Sequence, residues 1–183
     1  MALPIPNQWY FLVPQCAQDM ALGAIVVSDT IPGASSPDQY YSLVLRPMSD
    51  RSPFQRFQAY AYGDAGSSGY GFAFYTDYIQ SIYGLAKFVL MYSLDGNSPL
   101  VLQDWRNFST AGTWNLIPYG DFYAVQNAYD TDQNLNVAGD GPYPVNTQIL
   151  TWNWSGGAPN EIWKFVEFDS TTETQDPEDL TRS

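Results

Sequence analysis

The chain of 183 residues contains no histidine and only one cysteine, Cys16. Without histidine there is no imidazole to act as a general base or to bind a metal ion, so any catalysis would have to rely on carboxylates. A single cysteine cannot form an internal disulfide, and the fold must therefore be held together by its core. We interpret Cys16 as a small buried apolar residue rather than a reactive thiol.

Basic residues are also scarce. Seven Lys and Arg stand against nineteen Asp and Glu, which gives a formal net charge of −12. Such a surface repels phosphate backbones, and nucleic acid is therefore not expected as a partner. The last segment, 169–183, carries five acids and one base and almost no apolar residues. It is predicted to be a flexible acidic tail.

Long hydrophobic runs are missing as well. The most apolar stretch, 83–91, is interrupted by Lys87 and falls well short of the roughly 20 residues of a membrane span. The first residues lack the basic start and continuous apolar stretch of a secretory leader. Two triplets, at Asn107 and Asn153, match the glycosylation acceptor pattern. We therefore favour a secreted mature chain over a cytoplasmic one.

Apolar and aromatic residues, by contrast, are plentiful, at 45% and 16% of the chain. They occur in short segments rich in Val, Ile, Tyr and Phe, which are separated by clusters of Gly, Pro, Asn, Asp and Ser. This pattern is typical of an all-β protein, and no long stretch shows a helical period. The clearest predicted strands are 24–27, 40–45, 57–62, 88–92, 135–137, 148–152 and 163–168.

Large apolar residues recur with the same spacing in three parts of the chain. Trp163 follows Trp154 by nine residues and Ile149 by fourteen, and the same spacings link two further sets: Trp114, Trp105 and Leu100; Phe57, Met48 and Leu43. Tyr123 and Phe74 lie 40 residues before the last member of their sets, and Phe11 lies 46 before Phe57, which leaves room for an insertion at 28–38.

Three copies of a four-stranded unit are the plan of a β-trefoil, in which no single copy can bury its apolar face alone. We predict a single β-trefoil domain over residues 1–168, with pseudo-repeats of four strands at about 8–66, 67–118 and 119–168. Leu43, Leu100 and Ile149 are expected to meet about a pseudo-threefold axis, together with the aromatic residues that close each copy. Trp154 is assigned to the same core.

The third copy also carries a recognisable motif. It reads Asn134-Leu-Asn-Val-Ala-Gly139, then Trp152-Asn-Trp-Ser-Gly-Gly157, then Asn160-Glu-Ile-Trp-Lys-Phe165. Over residues 121–165 this resembles the ricin-B-like, or R-type, lectin repeat, and the Trp-x-Trp followed by Ser-Gly-Gly is similar to its fungal branch. The first copy keeps Phe54-Gln-Arg-Phe57 where the family has Gln-x-Trp, whereas the second, Ala111-Gly-Thr-Trp114, has lost the polar pair altogether.

The resemblance implies a shallow sugar pocket, in which an aromatic side chain stacks on the sugar while an Asp and an Asn form hydrogen bonds to its hydroxyls. The predicted carbohydrate-binding residues are Asn136 at the Asp position, Trp152 as the stacking aromatic, and Asn160 and Glu161 at the Asn-Gln pair. Asn136 and Glu161 depart from the family pattern.

Several functions remain open at this point. The first is a non-catalytic lectin whose partner is a glycan or glycoprotein. The alternative is a lectin-like small subunit of a larger fungal oxidase, such as a tyrosinase or two-subunit laccase, because the many surplus aromatics favour either sugar stacking or a protein interface. A protease inhibitor is less favoured. No enzymatic activity, cofactor or metal site is expected, since the acids lie mainly in turn-like contexts.

Overall fold

A computed structural model of the chain describes residues 3–27, 40–62, 71–76, 80–81, 84–85, 88–91, 96–104 and 109–169. All seven predicted strands fall on observed strands. The predicted insertion at 28–38, Tyr92, Trp105, Asn107 and the tail beyond Asp169 lie outside the described residues. The strands are β1 (Trp9–Pro14), β2 (Met20–Val27), β3 (Tyr40–Pro47), β4 (Phe57–Tyr62), β5 (Gly71–Thr76), β6 (Gln80–Ser81), β7 (Gly84–Leu85), β8 (Phe88–Met91), β9 (Val101–Asp104), β10 (Trp114–Tyr119), β11 (Phe122–Asn127), β12 (Gln133–Val137), β13 (Ile149–Asn153) and β14 (Ile162–Glu167).

Six of these strands close into a barrel. Following the antiparallel pairs, β1 is bonded to β4, β4 to β5, β5 to β10, β10 to β11, β11 to β14, and β14 back to β1. Closure removes the free strand edges that an open sheet would expose. The first and last strands of the described chain are therefore neighbours in the barrel wall.

The remaining long strands form three hairpins, one between each pair of barrel strands: β2 with β3, β8 with β9, and β12 with β13. Single bridges join the hairpins at Val44 with Gln148 and at Pro99 with Leu150. A barrel of six strands with three hairpins that meet one another is a β-trefoil. The predicted all-β fold with three units of four strands is confirmed, and the short β6–β7 hairpin is an addition to the second unit.

The core lies where the three units meet. Leu43, Leu100 and Ile149 are at most 2% exposed and belong to one hydrophobic cluster, which also holds Phe57, Trp114 and Trp163. The indole N–H of Trp114 donates to the carbonyl of Leu90 at 3.1 Å, and that of Trp163 donates to the carbonyl of Leu135 at 2.9 Å. The second and third units thus repeat even this hydrogen bond, as a pseudo-threefold core requires.

The predicted alignment of the opening strands is wrong in two units. Opposite the closing aromatics of the three units lie Tyr10, Phe72 and Tyr123. Tyr123 is the predicted residue. The other two predicted residues are shifted, since Phe11 lies one residue after Tyr10 and Phe74 lies two residues after Phe72. A single spacing of 40 residues cannot hold because the units contain loops of different length. Phe11 points to the other side of β1 and packs on Phe168 in a second, smaller cluster, with ring centroids 4.8 Å apart.

Trp154 does not belong to the core. Its side chain is 36% exposed, whereas Ile149 and Thr151 of the same strand are buried. Side chains alternate between the two faces of a strand, so Trp154 shares the outward face of Trp152. Met48, at the matching position of the first unit, is only partly buried, in a 3-10 turn beside the second cluster.

Cys16 lies beside the main core and is only half-buried. Burial raises the pKa of its thiol from 9.0 to about 11, against a smaller lowering by a backbone hydrogen bond. Because the thiolate is the reactive form, the thiol is poorly nucleophilic near neutral pH. Cys16 thus packs against the core, but it is less buried than the sequence predicts.

Candidate functional site

A pocket of about 450 Å³ lies on the outer side of the third unit, between the β12–β13 hairpin and the loop that leads into β14. It brings together all four residues that the sequence predicts for the site. Its lining consists of Asn136, Ala138, Gly139, Asp140, Leu150, Trp152, Ser155, Ala158, Asn160 and Glu161. The role of these residues toward a ligand remains a prediction, and their geometry decides what each can contribute.

Trp152 supplies the aromatic wall of the pocket. It lies on the outward face of β13, where the antiparallel pairing with β12 sets it opposite Asn134. Its side chain is 47% exposed, which is unusual for the largest apolar residue type. Leu150, two residues earlier on the same face, adds a second apolar surface. An exposed indole at the edge of a pocket can stack on a flat, partly apolar ligand.

Asn160 ties the loop before β14 to the β12–β13 hairpin. Its side-chain amide donates to Oδ1 of Asn136 at 2.9 Å and to the carbonyls of Val137 and Gly139 at 3.0 and 3.1 Å. The backbone carbonyl of Asn160 accepts a hydrogen bond from the backbone N–H of Val137. Among the described residues, no group donates to the side-chain oxygen of Asn160, so this atom can accept a hydrogen bond from a ligand.

Asn136 lies at the floor of the pocket and is only 3% exposed. While its Oδ1 accepts from Asn160, its Nδ2 donates to Oε1 of Glu161 at 3.4 Å. An amide has two N–H groups and two acceptor sites, so each end retains capacity for one more hydrogen bond. Asn136 therefore links the other two polar residues and can still contact a ligand.

Glu161 is a buried carboxylate that is held by N–H groups. It is 1% exposed, and within the part of the chain that is described it has no ion pair. Its two oxygens accept from the backbone amides of Ser155, Gly157 and Ala158 at 3.0 to 3.3 Å, and from Asn136. These donors occupy the carboxylate, so Glu161 shapes the 155–158 loop rather than offering free acceptors to a ligand.

The prediction of site residues missed Asp140 and Ser155. Asp140 is exposed at the rim of the pocket, in the loop that follows β12, and it is the one lining carboxylate that is open to solvent. In the sequence, Asp140 is one of the acids in turn-like contexts, where Asp is favoured for local hydrogen bonding. Its position four residues after Asn136 was the available signal, but only the path of the loop shows that it turns back toward Trp152.

The first unit has a smaller pocket of about 230 Å³ at the corresponding place. Strand pairing makes Gly23 the counterpart of Asn136 and Arg46 the counterpart of Trp152. Arg46 is engaged by Asp50 at 2.9 Å and by Asn146 at 3.2 Å. This pocket therefore lacks the stacking indole and a counterpart of the Asn136 amide, although the buried amide of Gln55 lines it at the place of Glu161.

The second unit has apolar or small residues at the polar positions. There, Ala111 and Gly112 occupy the places of Asn160 and Glu161. Of the three units, the third alone combines an exposed aromatic with a hydrogen-bonded polar floor among the described residues.

Two kinds of feature are absent from the residues that the structure describes. No three His, Cys, Asp or Glu side chains lie close enough together to hold a metal ion. No helix in this part of the chain is long and apolar enough to cross a membrane.

No protein-family model matches the sequence, and no curated protein is significantly similar to it. Solved structures do match over nearly the whole chain. The Macrolepiota procera ricin B-like lectin, in complex with lactose, has a TM-score of 0.59 at 13% identity, with coverage of 91% of this chain and 100% of that chain. The designed threefold-symmetric protein ThreeFoil has a TM-score of 0.61 at 15% identity, covering 87% and 99%.

The chain has the fold of the ricin-B-like β-trefoil lectins. A third match supports this, the Polyporus squamosus lectin bound to a human-type influenza-binding epitope, with a TM-score of 0.63 at 8% identity over 90% of this chain. The β-trefoil described here spans half the length of that lectin chain. At such low identity the likeness establishes the fold, and the ligand has to be argued from the site.

Proposed function

We propose that this β-trefoil is a non-catalytic carbohydrate-binding protein and that its binding site is the third-unit pocket. The observation that carries the proposal is the exposed indole of Trp152 beside the hydrogen-bonded pair Asn136 and Asn160. A sugar ring presents an apolar C–H face and a row of hydroxyl groups. A pocket with one aromatic wall and a few fixed polar groups is complementary to both.

Each lining residue has a distinct part in this proposal. Trp152 stacks on the apolar face of the sugar, and Leu150 extends that surface. Neighbouring hydroxyls donate to the free oxygen of Asn160 and accept from the remaining N–H of Asn136. Asp140, at the rim, accepts a charge-assisted hydrogen bond, which is roughly twice as strong as a neutral one. Glu161 holds the loop that closes one side.

Two of the matched lectins guide the choice of the first probe. The Macrolepiota procera lectin was solved with lactose, and the Polyporus squamosus lectin with Neu5Acα2-6Galβ1-4GlcNAc. Both ligands contain a galactose residue. Galactosides are therefore the first class to test, although the site of this chain differs in its polar residues. We expect millimolar to micromolar affinity, because one aromatic wall and a few polar groups contact a single sugar ring.

The decisive variant is Trp152→Ala. We expect it to weaken binding of lactose, or of the best ligand from a glycan array, by at least about tenfold, because loss of a central aromatic contact commonly costs more than 1 kcal/mol. Isothermal titration would measure the change. Tyr60→Ala, which removes an exposed aromatic from β4, is the matched control and should bind normally. A glycan array without a hit, or an unchanged Trp152→Ala, would contradict the proposal.

A second candidate is a lectin-like subunit that binds a larger protein such as an enzyme. The observation that favours it is a tyrosine surface on a different part of the barrel. Tyr60 and Tyr62 on β4 are 48% and 44% exposed, and Tyr75 packs edge-on against Tyr60 with centroids 6.0 Å apart. Exposed tyrosines are enriched in protein interfaces. Purification from the native source distinguishes the two: co-migration with a larger chain favours a subunit, and a lone monomer argues against it.

A further inference from the structure

The outward face of β13 continues beyond the pocket. Gln133 pairs with Asn153, and the backbone N–H of Trp154 then donates to the carbonyl of Asp132 at 3.1 Å, so the ladder extends one residue past the end of the strand. Asn153 faces the other way, where its Oδ1 accepts from Gln133. Trp152 and Trp154 are consequently successive outward residues, about 7 Å apart along the strand.

Tyr119 completes a second aromatic surface beside Trp154. The two rings pack edge to face with centroids 5.9 Å apart, and Tyr119 is 44% exposed. The hydroxyl of Tyr119 donates to the carbonyl of Gly156 at 2.9 Å, and its ring lies directly against Gly157. The ring is thus held from both sides, so a ligand that contacts it need not order it first.

We infer that Trp154 and Tyr119 form a second sugar subsite and that the natural ligand is an oligosaccharide that lies along β13. This inference rests on the proposed function of the Trp152 pocket. The first ring stacks on Trp152, and the next ring of the same glycan stacks on Trp154 beside Tyr119. A monosaccharide reaches only the first of these surfaces, so chain length becomes part of the specificity.

Charge indicates which oligosaccharides fit. The rim carries the exposed carboxylate of Asp140, Asp132 lies next to the extended strand, and the whole chain has a net charge of −12. An acidic glycan would be repelled by this field. The ligand class is therefore a neutral oligosaccharide.

The test compares methyl β-galactoside, lactose and lacto-N-neotetraose by isothermal titration. Wild-type protein should bind the tetrasaccharide at least about tenfold more tightly than the monosaccharide. Trp154→Ala should abolish this gain while leaving the monosaccharide affinity within about twofold, since a tenfold change in affinity corresponds to about 1.4 kcal/mol, which one stacked aromatic can supply. Trp152→Ala should weaken all three ligands. Tyr60→Ala serves as the control, and near-UV circular dichroism checks the fold of each variant.

The outcomes separate the inference from the function on which it rests. Equal affinity of wild type for short and long sugars overturns the second subsite while the Trp152 site stands. The same holds if Trp154→Ala weakens the monosaccharide as strongly as the tetrasaccharide. If none of the three probes and no array glycan binds the wild type, both proposals fail together. The second subsite is supported if Trp154→Ala loses the additional affinity for the tetrasaccharide, keeps the affinity for the monosaccharide, and Tyr60→Ala changes neither.

Discussion

At positions 136 and 161, the acid and the amide are exchanged relative to the lectin repeat that the third unit resembles. The lectin repeat that the third unit resembles has an acid at the first position and an amide at the second, whereas here the amide comes first and the acid second. The hydrogen bond now runs from Nδ2 of Asn136 to the carboxylate of Glu161. The backbone N–H groups of Ser155, Gly157 and Ala158 donate to the carboxylate at position 161.

The variant Asn136→Asp tests this arrangement. It would set two buried carboxylates against each other without a cation, and we expect it to lower the free energy of unfolding by about 2 to 4 kcal/mol at neutral pH. Protonation of one of the two carboxyl groups should restore part of the loss as the pH falls. Urea unfolding at pH 7 and pH 5 measures both effects.

The double variant Asn136→Asp with Glu161→Gln provides the matched rescue. It returns the charge to position 136, and we expect it to recover at least about half of the lost stability. Asp140→Asn, a change of the same size at the exposed rim of the same pocket, should stay within about 0.5 kcal/mol of wild type. Full stability of Asn136→Asp at pH 7 would show that the polarity of this pair is unimportant.

At the scale of elements, the 155–158 loop between β13 and β14 connects the pocket to the Tyr119 surface. Gly156 and Gly157 have φ angles of 105° and 95°, which residues with a side chain rarely adopt. A Cβ at Gly156 would meet nothing within 4 Å, whereas a Cβ at Gly157 would overlap Cζ of the Tyr119 ring and lie 2.7 Å from its Cε1. The two neighbouring glycines thus share the backbone requirement and differ in their surroundings.

We therefore predict different costs for Gly156→Ala and Gly157→Ala. Each should lose about 1 to 3 kcal/mol from backbone strain alone. Gly157→Ala should lose at least about 1 kcal/mol more, because the Tyr119 ring must move. It should also weaken the longer glycan more than the monosaccharide. Urea unfolding and titration measure the two effects.

Removal of the ring provides the control. In the background of Tyr119→Ala, the change of Gly157 to Ala should cost no more than the change of Gly156 to Ala. If the two glycine variants already behave alike when Tyr119 is present, the loop does not depend on packing against that ring.

At the scale of the whole molecule, Trp163 and Trp152 of the third unit have different roles. Trp163 is fully buried in the core that all three units share, while Trp152 is half-exposed in the pocket. The barrel is closed by the pairing of β1 with β14, so the unit that contains Trp163 also holds the first strand in place. Damage to this core should affect all three units together.

Trp163→Ala should lower the free energy of unfolding by about 3 to 5 kcal/mol, the usual cost of replacing a large buried aromatic with alanine. Thermal unfolding should remain a single transition, with far-UV circular dichroism and intrinsic fluorescence in agreement. Trp152→Ala should leave stability within about 0.5 kcal/mol of wild type. Separate transitions for the third unit and for the rest of the chain would contradict a shared core.

Local patterns in the sequence were sufficient for the architecture. Short segments rich in Val, Ile, Tyr and Phe between clusters of turn residues marked the strands. The spacing of Leu43, Leu100 and Ile149 marked the threefold core, because each unit must bury its apolar face against the other two. Trp154 was assigned to the inward face as an alternate position to Trp152, which is wrong because residues two apart along a strand share a face. The aligned opening residues were missed because loop length, unlike strand period, follows no rule.

The site depended on tertiary structure. The sequence supplied Asn136, Trp152, Asn160 and Glu161 as candidates, but it did not show the hydrogen bond from Asn136 to Glu161, which joins side chains 25 positions apart. Asp140 and Tyr119 reach the site through the paths of two loops. Strand periodicity is a property of a few neighbouring residues, and the chain alone determines it. Which polar groups meet across a pocket depends on how whole hairpins are placed against each other, and packing in three dimensions decides that.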